Sequence, residues 1–322
     1  MKLFITGGAG FIGSNFARRI INNSDHQVTV YDALTYAGNR ANLSDLEESG
    51  RLKFVHGDIC DRGDVAAAMA GHDAVVHFAA ESHVDRSLLD PDVFVRTNCL
   101  GTNVLCDVAV GVGVDRFIHI STDEVYGSID EGSFVETDRL SPRSPYSASK
   151  AGSDQIALAY HETYELPVIV TRSSNQFGPY QFPEKLIPYF TTNLMAGNRV
   201  PLYGDGLNVR DWMFVSDNCE AVELVLNEGQ VGEIYNIGAG NEFTNRFITD
   251  RLLVALGKDE SSVEYVQDRL GHDRRYSIAT EKISSLGWSP RHSFDEAIEL
   301  TVKFYVDNSQ WWEPLLSRVK NR

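Results

Sequence analysis

Apolar positions in the first half of the chain alternate between two rhythms. Residues 2–6, 28–32, 52–57, 73–79, 115–121 and 166–172 are short β-branched runs with few polar interruptions, which predicts strands buried on both faces. Between them, residues 12–22, 62–70, 92–112 and 146–164 repeat apolar side chains at helical spacing. Strands alternating with helices predict an α/β fold with a doubly wound parallel sheet. Such a sheet takes its ligands outside the carboxyl ends of its strands.

Past Arg172 the pattern shortens and fills with turns: Gly178-Pro179, Pro183, Pro188, Pro201 and Gly204-Asp205-Gly206. A smaller α/β C-terminal region is expected here, supplying a substrate pocket. Residues 233–238 read as one more core strand, residues 263–266 as a strand and 293–305 as a helix. The expected division is residues 1–172 with 209–238 returning to them, and residues 173–208 with 239–322 as the second domain.

Composition narrows the function classes. With 322 residues and a formal charge of -16, the chain offers no basic face for nucleic acid or an anionic membrane. A polyanionic substrate would have to meet a local basic cluster. No apolar stretch reaches the ~18 residues of a membrane span, and the chain opens on a strand without a basic leader. Cys60, Cys99, Cys106 and Cys219 form no CxxC pair, and His161-Glu162 lacks the second histidine of a zinc helix, so no metal is expected. His77 and His119 lie inside strands and read as core residues. A soluble cytoplasmic protein with reduced thiols is the expectation.

Gly7, Gly10 and Gly13 sit between the first strand and the first helix. In that context they mark a Rossmann dinucleotide site: one glycine for the turn, one for backbone approach to a pyrophosphate, one for helix–strand packing. Asp32 ends the next strand, where a carboxylate accepts the adenosine ribose hydroxyls and repels a 2′-phosphate; NAD is favoured over NADP. Asp58, at a second strand end, can reach the adenine amino group or serve only as a turn residue.

Two further stretches carry chemistry. Thr122-Asp123-Glu124 follows a buried strand, and Ser144-Pro145-Tyr146-Ser147-Ala148-Ser149-Lys150 opens a helix. Ser144 suits the cap and Pro145 the first turn, and Tyr146 and Lys150 share a helix face, so the ammonium is expected to lower the phenol's pKa. A Tyr–Lys pair of this spacing is ordinary helix surface elsewhere, and an Asp-Glu pair is usually a solvated turn. At a strand's carboxyl end, the acids fit an elimination, which needs one carboxyl protonated and the other ionised.

The glycine trio and Tyr146-xxx-Lys150 resemble the extended short-chain dehydrogenase/reductase family. More narrowly, the chain is similar to the nucleoside-diphosphate-sugar 4,6-dehydratases over nearly its whole length. Supporting stretches are Leu34-Thr35-Tyr36-Ala37-Gly38-Asn39, Ala79-Ala80-Glu81-Ser82-His83-Val84-Asp85-Arg86-Ser87, Arg210-Asp211-Trp212, and the runs at residues 178–188 and 268–276. Asp123-Glu124 is the specific match, since epimerases of the family usually carry small residues there.

The resemblance implies a set of roles. Phe11, Ile12, Leu34, Thr35, Ile59, Ala79, Ala80 and Thr97 would join Gly7, Gly10, Gly13, Asp32, Asp58, Tyr146 and Lys150 around NAD. Ser82, Thr122, Asn175, Lys185, Leu186, Pro201, Tyr203, Arg210, Asn245, Arg269 and His272 would hold a nucleotide sugar. Tyr146 would take the carbon-4 hydroxyl proton while NAD takes hydride; Glu124 would remove the carbon-5 proton and Asp123 protonate the departing carbon-6 hydroxyl. The hydride then returns to carbon 6. Gln176-Phe177 departs from the usual Asn-Tyr. A homodimer through the helices of residues 92–112 and 146–164 is implied, with dTDP-glucose the favoured substrate. UDP- or CDP-glucose, a 4-epimerase and a non-catalytic NAD sensor are the alternatives.

Overall fold

The apolar runs of the first half become β1 (Lys2–Thr6), β2 (Gln27–Asp32), β3 (Leu52–His56), β4 (Ala74–His77), β5 (Arg116–Thr122) and β6 (Val168–Ser173). The computed structural model describes residues 1–268 and 272–319. Later come β7 (Asn175–Phe177), β8 (Val200–Tyr203), β9 (Val209–Phe214), β10 (Ile234–Ile237), β11 (Glu242–Thr244) and β12 (Val263–Val266). Seven strands form one parallel sheet in the order β10-β6-β5-β4-β1-β2-β3. Chain direction across the sheet reverses between β1 and β4, and a crevice opens there at the strands' carboxyl ends.

Alternate residues of each strand feed two cores. Leu3, Ile5, Val28, Val30, Val76 and Ile118 pack with Phe16 and Ile20 of the helix Phe11–Asn23 and with Val222 and Val225 of the helix Val215–Glu228. Phe4, Tyr31, Val75, Phe117 and Val168 face Val65, Met69, Leu105 and Val108 on the other side. Phe177, Phe190, Trp212, Phe214, Phe294 and Ile298 belong to a separate core in the C-terminal region.

Three expectations need correction. β3 is the sheet's edge, so Lys53 and His56 are exposed and the strand is not buried on both faces. Residues 92–112 are not one regular helix: Pro91–Phe94, a π-helical stretch Val95–Gly101 and Thr102–Val112 follow one another. Gly101 sits against Ile59 there, where an added Cβ would lie 2.4 Å from the isoleucine Cδ1. Only part of residues 209–238 joins the large sheet. β10 does, whereas β9 pairs with β7 and β11 in a three-stranded sheet. Among the described residues, no helix is long and apolar enough to cross a membrane.

The helix Pro145–Tyr164 starts as its sequence dictates. Ser144 Oγ accepts from Ser147 N at 3.1 Å, Ser147 Oγ accepts from Ser144 N at 3.0 Å, and Pro145 fills the first position. Tyr146 and Lys150 are thereby set at the buried start of the helix.

Candidate active site

A cavity of about 460 Å³ runs from the carboxyl ends of β1 and β2 to the turn after β5. Gly7 has φ +68°, and a Cβ there would lie 2.5 Å from Ala79 N. A Cβ on Gly13 would lie 2.4 Å from the Gly7 carbonyl oxygen. Only glycine fits either place. Gly10 caps the following helix without a side chain, so the first-turn N–H groups face the cavity unobstructed, as an anion requires.

Asp32 accepts from Ala9 N at 2.9 Å and Leu34 N at 2.8 Å. Burial raises its pKa while those two N–H groups pull it down. Each oxygen retains acceptor capacity for a ribose diol. Phe11, Ile12, Thr35, Asp58, Ile59, Ala79, Ala80 and Thr97 line the same cavity. Leu34 does not, although its backbone holds Asp32. Asp58 is also a turn residue, taking Cys60 N at 2.8 Å. The glycine cradle, helix terminus and carboxylate together fit a dinucleotide.

At the other end, Thr122 closes β5 and Asp123–Val125 make a 3₁₀ turn. Thr122 Oγ1 donates to Asp123 Oδ1 at 3.2 Å and accepts from Glu124 N at 3.3 Å. Asp123 is 3% exposed, and its Oδ2 has no hydrogen-bond partner. Burial, then the charges of Glu124 and Asp211, push its pKa up to about 8. At neutral pH it is mostly a carboxylic acid beside the Glu124 carboxylate. Asp211 is an acid whose part the sequence did not disclose: buried itself, it accepts from Ala239 N and Asn241 N, both at 2.8 Å.

Tyr146 lines the cavity, as Thr122 does. Here an expectation is corrected. Burial and the neighbouring Glu124 raise the phenol's pKa, and Lys150 is not aimed at it. The Lys150 ammonium donates to the Ile120 carbonyl at 2.7 Å, outside the cavity lining. Burial lowers its own pKa to about 8, against the pull of Asp154. A long side chain buried against a strand satisfies its charge at the nearest carbonyl.

Ser82, Asn175, Lys185 and Leu186 line the cavity, and Lys185 Nζ donates to the Ser82 carbonyl at 2.8 Å. Pro201, Tyr203, Arg210, Asn245 and His272 do not line it; they gather in the C-terminal region. Arg210 Nη2 and Asn208 Nδ2 both donate to the Asp273 carbonyl, at 2.9 and 3.1 Å. Asn245 N donates to Asn208 O at 3.0 Å, and the Tyr203 ring meets His272 edge-on with centroids 6.4 Å apart. Arg269 lies outside the described residues. Arg274 and Arg275 are paired with Asp205 and Glu242. Tyr36, Glu81, Glu184 and Trp212 line the cavity without having been assigned from sequence.

The strand histidines behave as core residues to different degrees. His77 meets Thr6 Oγ1 at 2.8 Å and Thr102 Oγ1 at 3.0 Å. His119 meets Ser153 Oγ at 3.1 Å, and its Nδ1 has no partner.

The family model described as GDP-mannose 4,6 dehydratase matches residues 4–301. A dTDP-glucose 4,6-dehydratase of Streptomyces niveus is 52% identical, covering 98% of this chain and 96% of that one. The crystal structure of the dTDP-glucose 4,6-dehydratase DesIV from Streptomyces venezuelae, with NAD bound, superposes with TM-score 0.96 at 55% identity over 98% of this chain and 100% of that one. A UDP-glucose 4-epimerase from Thermus thermophilus, in complex with NAD, gives TM-score 0.89 at 32% identity over 96% and 100%.

Proposed function

The chain belongs to the GDP-mannose 4,6 dehydratase family, and from that premise we propose that it removes water from a nucleoside-diphosphate hexose, with NAD as cofactor. dTDP-glucose is the substrate and the 4-keto-6-deoxy sugar the product. The observation that carries this reading is the Asp123–Glu124 pair, one acid buried with a pKa of about 8 beside another whose negative charge helps to raise it. An elimination needs that difference in protonation, and an epimerisation does not.

Gly7, Gly10, Gly13 and Asp32 would hold NAD, which when bound would supply a reversible hydride acceptor for carbon 4 and donor for carbon 6. The chain's own groups move the protons. Tyr146 would act as phenolate, its raised pKa offset by the positive charge that a bound NAD would bring, and so receive the carbon-4 hydroxyl proton. Thr122 bonds Asp123 and holds it in place. Glu124 takes the carbon-5 proton, which the new ketone acidifies, and Asp123 gives its proton to the departing carbon-6 hydroxyl; a proton is restored at carbon 5 as hydride returns to carbon 6. Lys150 acts by fixing the helix to β5. Asn175 has a buried side-chain oxygen without a protein partner and is suited to a polar group of the substrate. Arg210, Arg269 and His272 serve the diphosphate, with Pro201, Tyr203 and Asn245 beside the nucleoside.

In this reading residues 1–172, with the helix Val215–Glu228 and β10 packed back onto them, hold NAD, and residues 173–214 with 239–322 hold the sugar nucleotide. Leu88, Leu89, Val95 and Leu100 expose 46%, 75%, 56% and 47% of their surface on the successive helical segments Val84–Leu89 and Val95–Gly101, which favours pairing with a second copy. Four free cysteines suit a reducing cytoplasm.

Purified protein incubated with the dTDP, UDP and CDP derivatives of glucose tests the reading. The expected result is loss of one water from dTDP-glucose with the highest catalytic efficiency. The epimerase likeness is the competing case: formation of dTDP-galactose without water loss overturns the roles of Asp123 and Glu124.

A further inference from the structure

Three chain segments meet on one wall of the cavity, and the proton transfers above use none of them. Tyr36 comes from the loop after β2, Arg86 from the short helix Val84–Leu89, and Glu184 from the loop after β7. The Arg86 guanidinium lies 3.6 Å over the Tyr36 ring. Its Nε is 3.0 Å from Glu184 Oε2, and these two side chains are 14% and 6% exposed. The Glu184 charge, close to the Tyr36 phenol, helps burial to raise that phenol's pKa. Tyr36 and Glu184 line the cavity.

Further bonds extend the knot toward the adenosine end. Arg86 Nη2 donates to the Arg318 carbonyl at 3.3 Å, and Arg318 Nη1 donates to the Gly38 carbonyl at 3.2 Å. Gly38 is itself packed on the nucleotide carboxylate, since a Cβ there would lie 2.9 Å from Asp32 Oδ1. Trp311 Nε1 donates to Asn42 Oδ1 at 2.8 Å, and Asn42 Nδ2 donates to the Ala9 carbonyl beside the glycine cradle at 2.9 Å. The loop carrying Tyr36 is thus tied down from both sides.

A buried ion pair adds little net stability over an apolar replacement, but removing one partner strands a charge in a dry place. Such a pair suits a contact that is either wholly made or wholly broken. The proposed reaction requires such a contact: hydride leaves and re-enters the same sugar, so cofactor exchange in mid-cycle would abandon an oxidised intermediate. We infer that Tyr36, Arg86 and Glu184 form a clasp that closes the cavity over the dinucleotide, and that its opening sets the rate of NAD release. They are positioning residues that retain the cofactor and touch no reacting atom. The inference rests on the proposed function in taking NAD as the occupant and the hydride as returning to the same sugar.

The test loads the full-length protein with radiolabelled NAD and follows its release into excess unlabelled NAD. Glu184→Gln leaves the guanidinium facing a neutral amide and should release NAD at least about tenfold faster than the parent. Tyr36→Phe keeps a ring under the guanidinium, removes the phenol hydroxyl near Glu184 and weakens the ring's hold on the cation, with release about threefold or more faster. Arg86→Lys keeps the charge, loses the planar stack and should fall between the parent and Glu184→Gln. Unchanged release from a cooperatively folded Glu184→Gln protein overturns the clasp, even if its melting temperature falls, because that pattern means a structural role alone. Should Glu184→Gln fail to fold, unchanged release from Tyr36→Phe overturns it equally. A parent protein that takes up no NAD defeats the proposed function itself, whereas a parent that holds NAD beside unaltered variants defeats the clasp only.

Discussion

The Lys150 ammonium and the Ile120 carbonyl, 2.7 Å apart, join the helix that carries Tyr146 to the strand that delivers Thr122, Asp123 and Glu124. This contact fixes the phenol against the acids. Lys150→Met keeps the length of the side chain and removes the tether. A misplacement of the order of an ångström costs about 10²-fold in rate, so kcat should fall by at least that with KM little changed. A defect confined to KM would argue that Lys150 only binds.

Asp123 and Lys150 both have pKa values near 8, reached from opposite directions by burial. Each must keep its proton for the proposed roles. The alkaline limb of log kcat/KM should therefore fall with a slope of about -2, and Asp123→Asn should return the residual activity to about -1 while costing 10²–10⁴-fold, roughly, in rate. An alkaline limb beginning above pH 10 in the parent would contradict both assignments.

Stability gives an independent reading of the same carboxyl. Its folded pKa of about 8 exceeds its ordinary 3.8, so between those values the folded chain holds a proton that the unfolded chain has released. Stability is lost as pH rises through that window. Asp123→Asn removes the loss and should stabilise the protein by up to about 4 kcal/mol at pH 7, with little gain at pH 4. Denaturant unfolding at the two pH values checks it, and an equal gain at both would mean that the effect is packing rather than protonation.

What sequence could disclose here follows from how local each constraint is. The glycine trio, the Ser144-Pro145 helix start and the strand ends at Asp32 and Thr122 are set by neighbours in the chain, and all are legible from the order of residues alone. β3 misled because edge position depends on strand order, not on its own residues. β9 misled because its apolar residues suit either sheet, and only tertiary pairing selects β7 and β11. The Lys150 contact was hidden by rotamer choice: sharing a helix face with Tyr146 does not decide where a flexible ammonium ends. Asp211, and the joining of Tyr36 to Arg86 and Glu184, depend on chain segments far apart in sequence.

Glu124→Gln separates elimination from oxidation. The variant loses the base for carbon 5 but leaves Tyr146 and the dinucleotide site intact. Water loss should drop by roughly 10²–10⁴-fold, while absorbance of reduced cofactor appears on mixing with substrate and persists. In deuterated solvent, carbon 5 should gain no label. Turnover at the parental rate would dismiss Glu124 as the base.

Gly13 offers a test of the cofactor site that involves no titrating group. Its added Cβ would stand 2.4 Å from the Gly7 oxygen and 2.8 Å from Gly8 Cα, both backbone atoms that cannot rotate away. The helix start must then move off β1, taking its N–H groups from the pyrophosphate position. Overpacking of this kind costs about 1–3 kcal/mol, and Gly13→Ala should weaken NAD binding at least about tenfold. Gly63 is the control, because a Cβ there meets nothing closer than Asp61 Oδ1 at 3.5 Å. In the helix Arg62–Met69, Gly63→Ala should be neutral or stabilising by up to about 1 kcal/mol, with NAD affinity unaltered. Calorimetric titration with NAD on both proteins decides the matter: equal affinities would show that helix–strand contact at Gly13 does not shape the dinucleotide site.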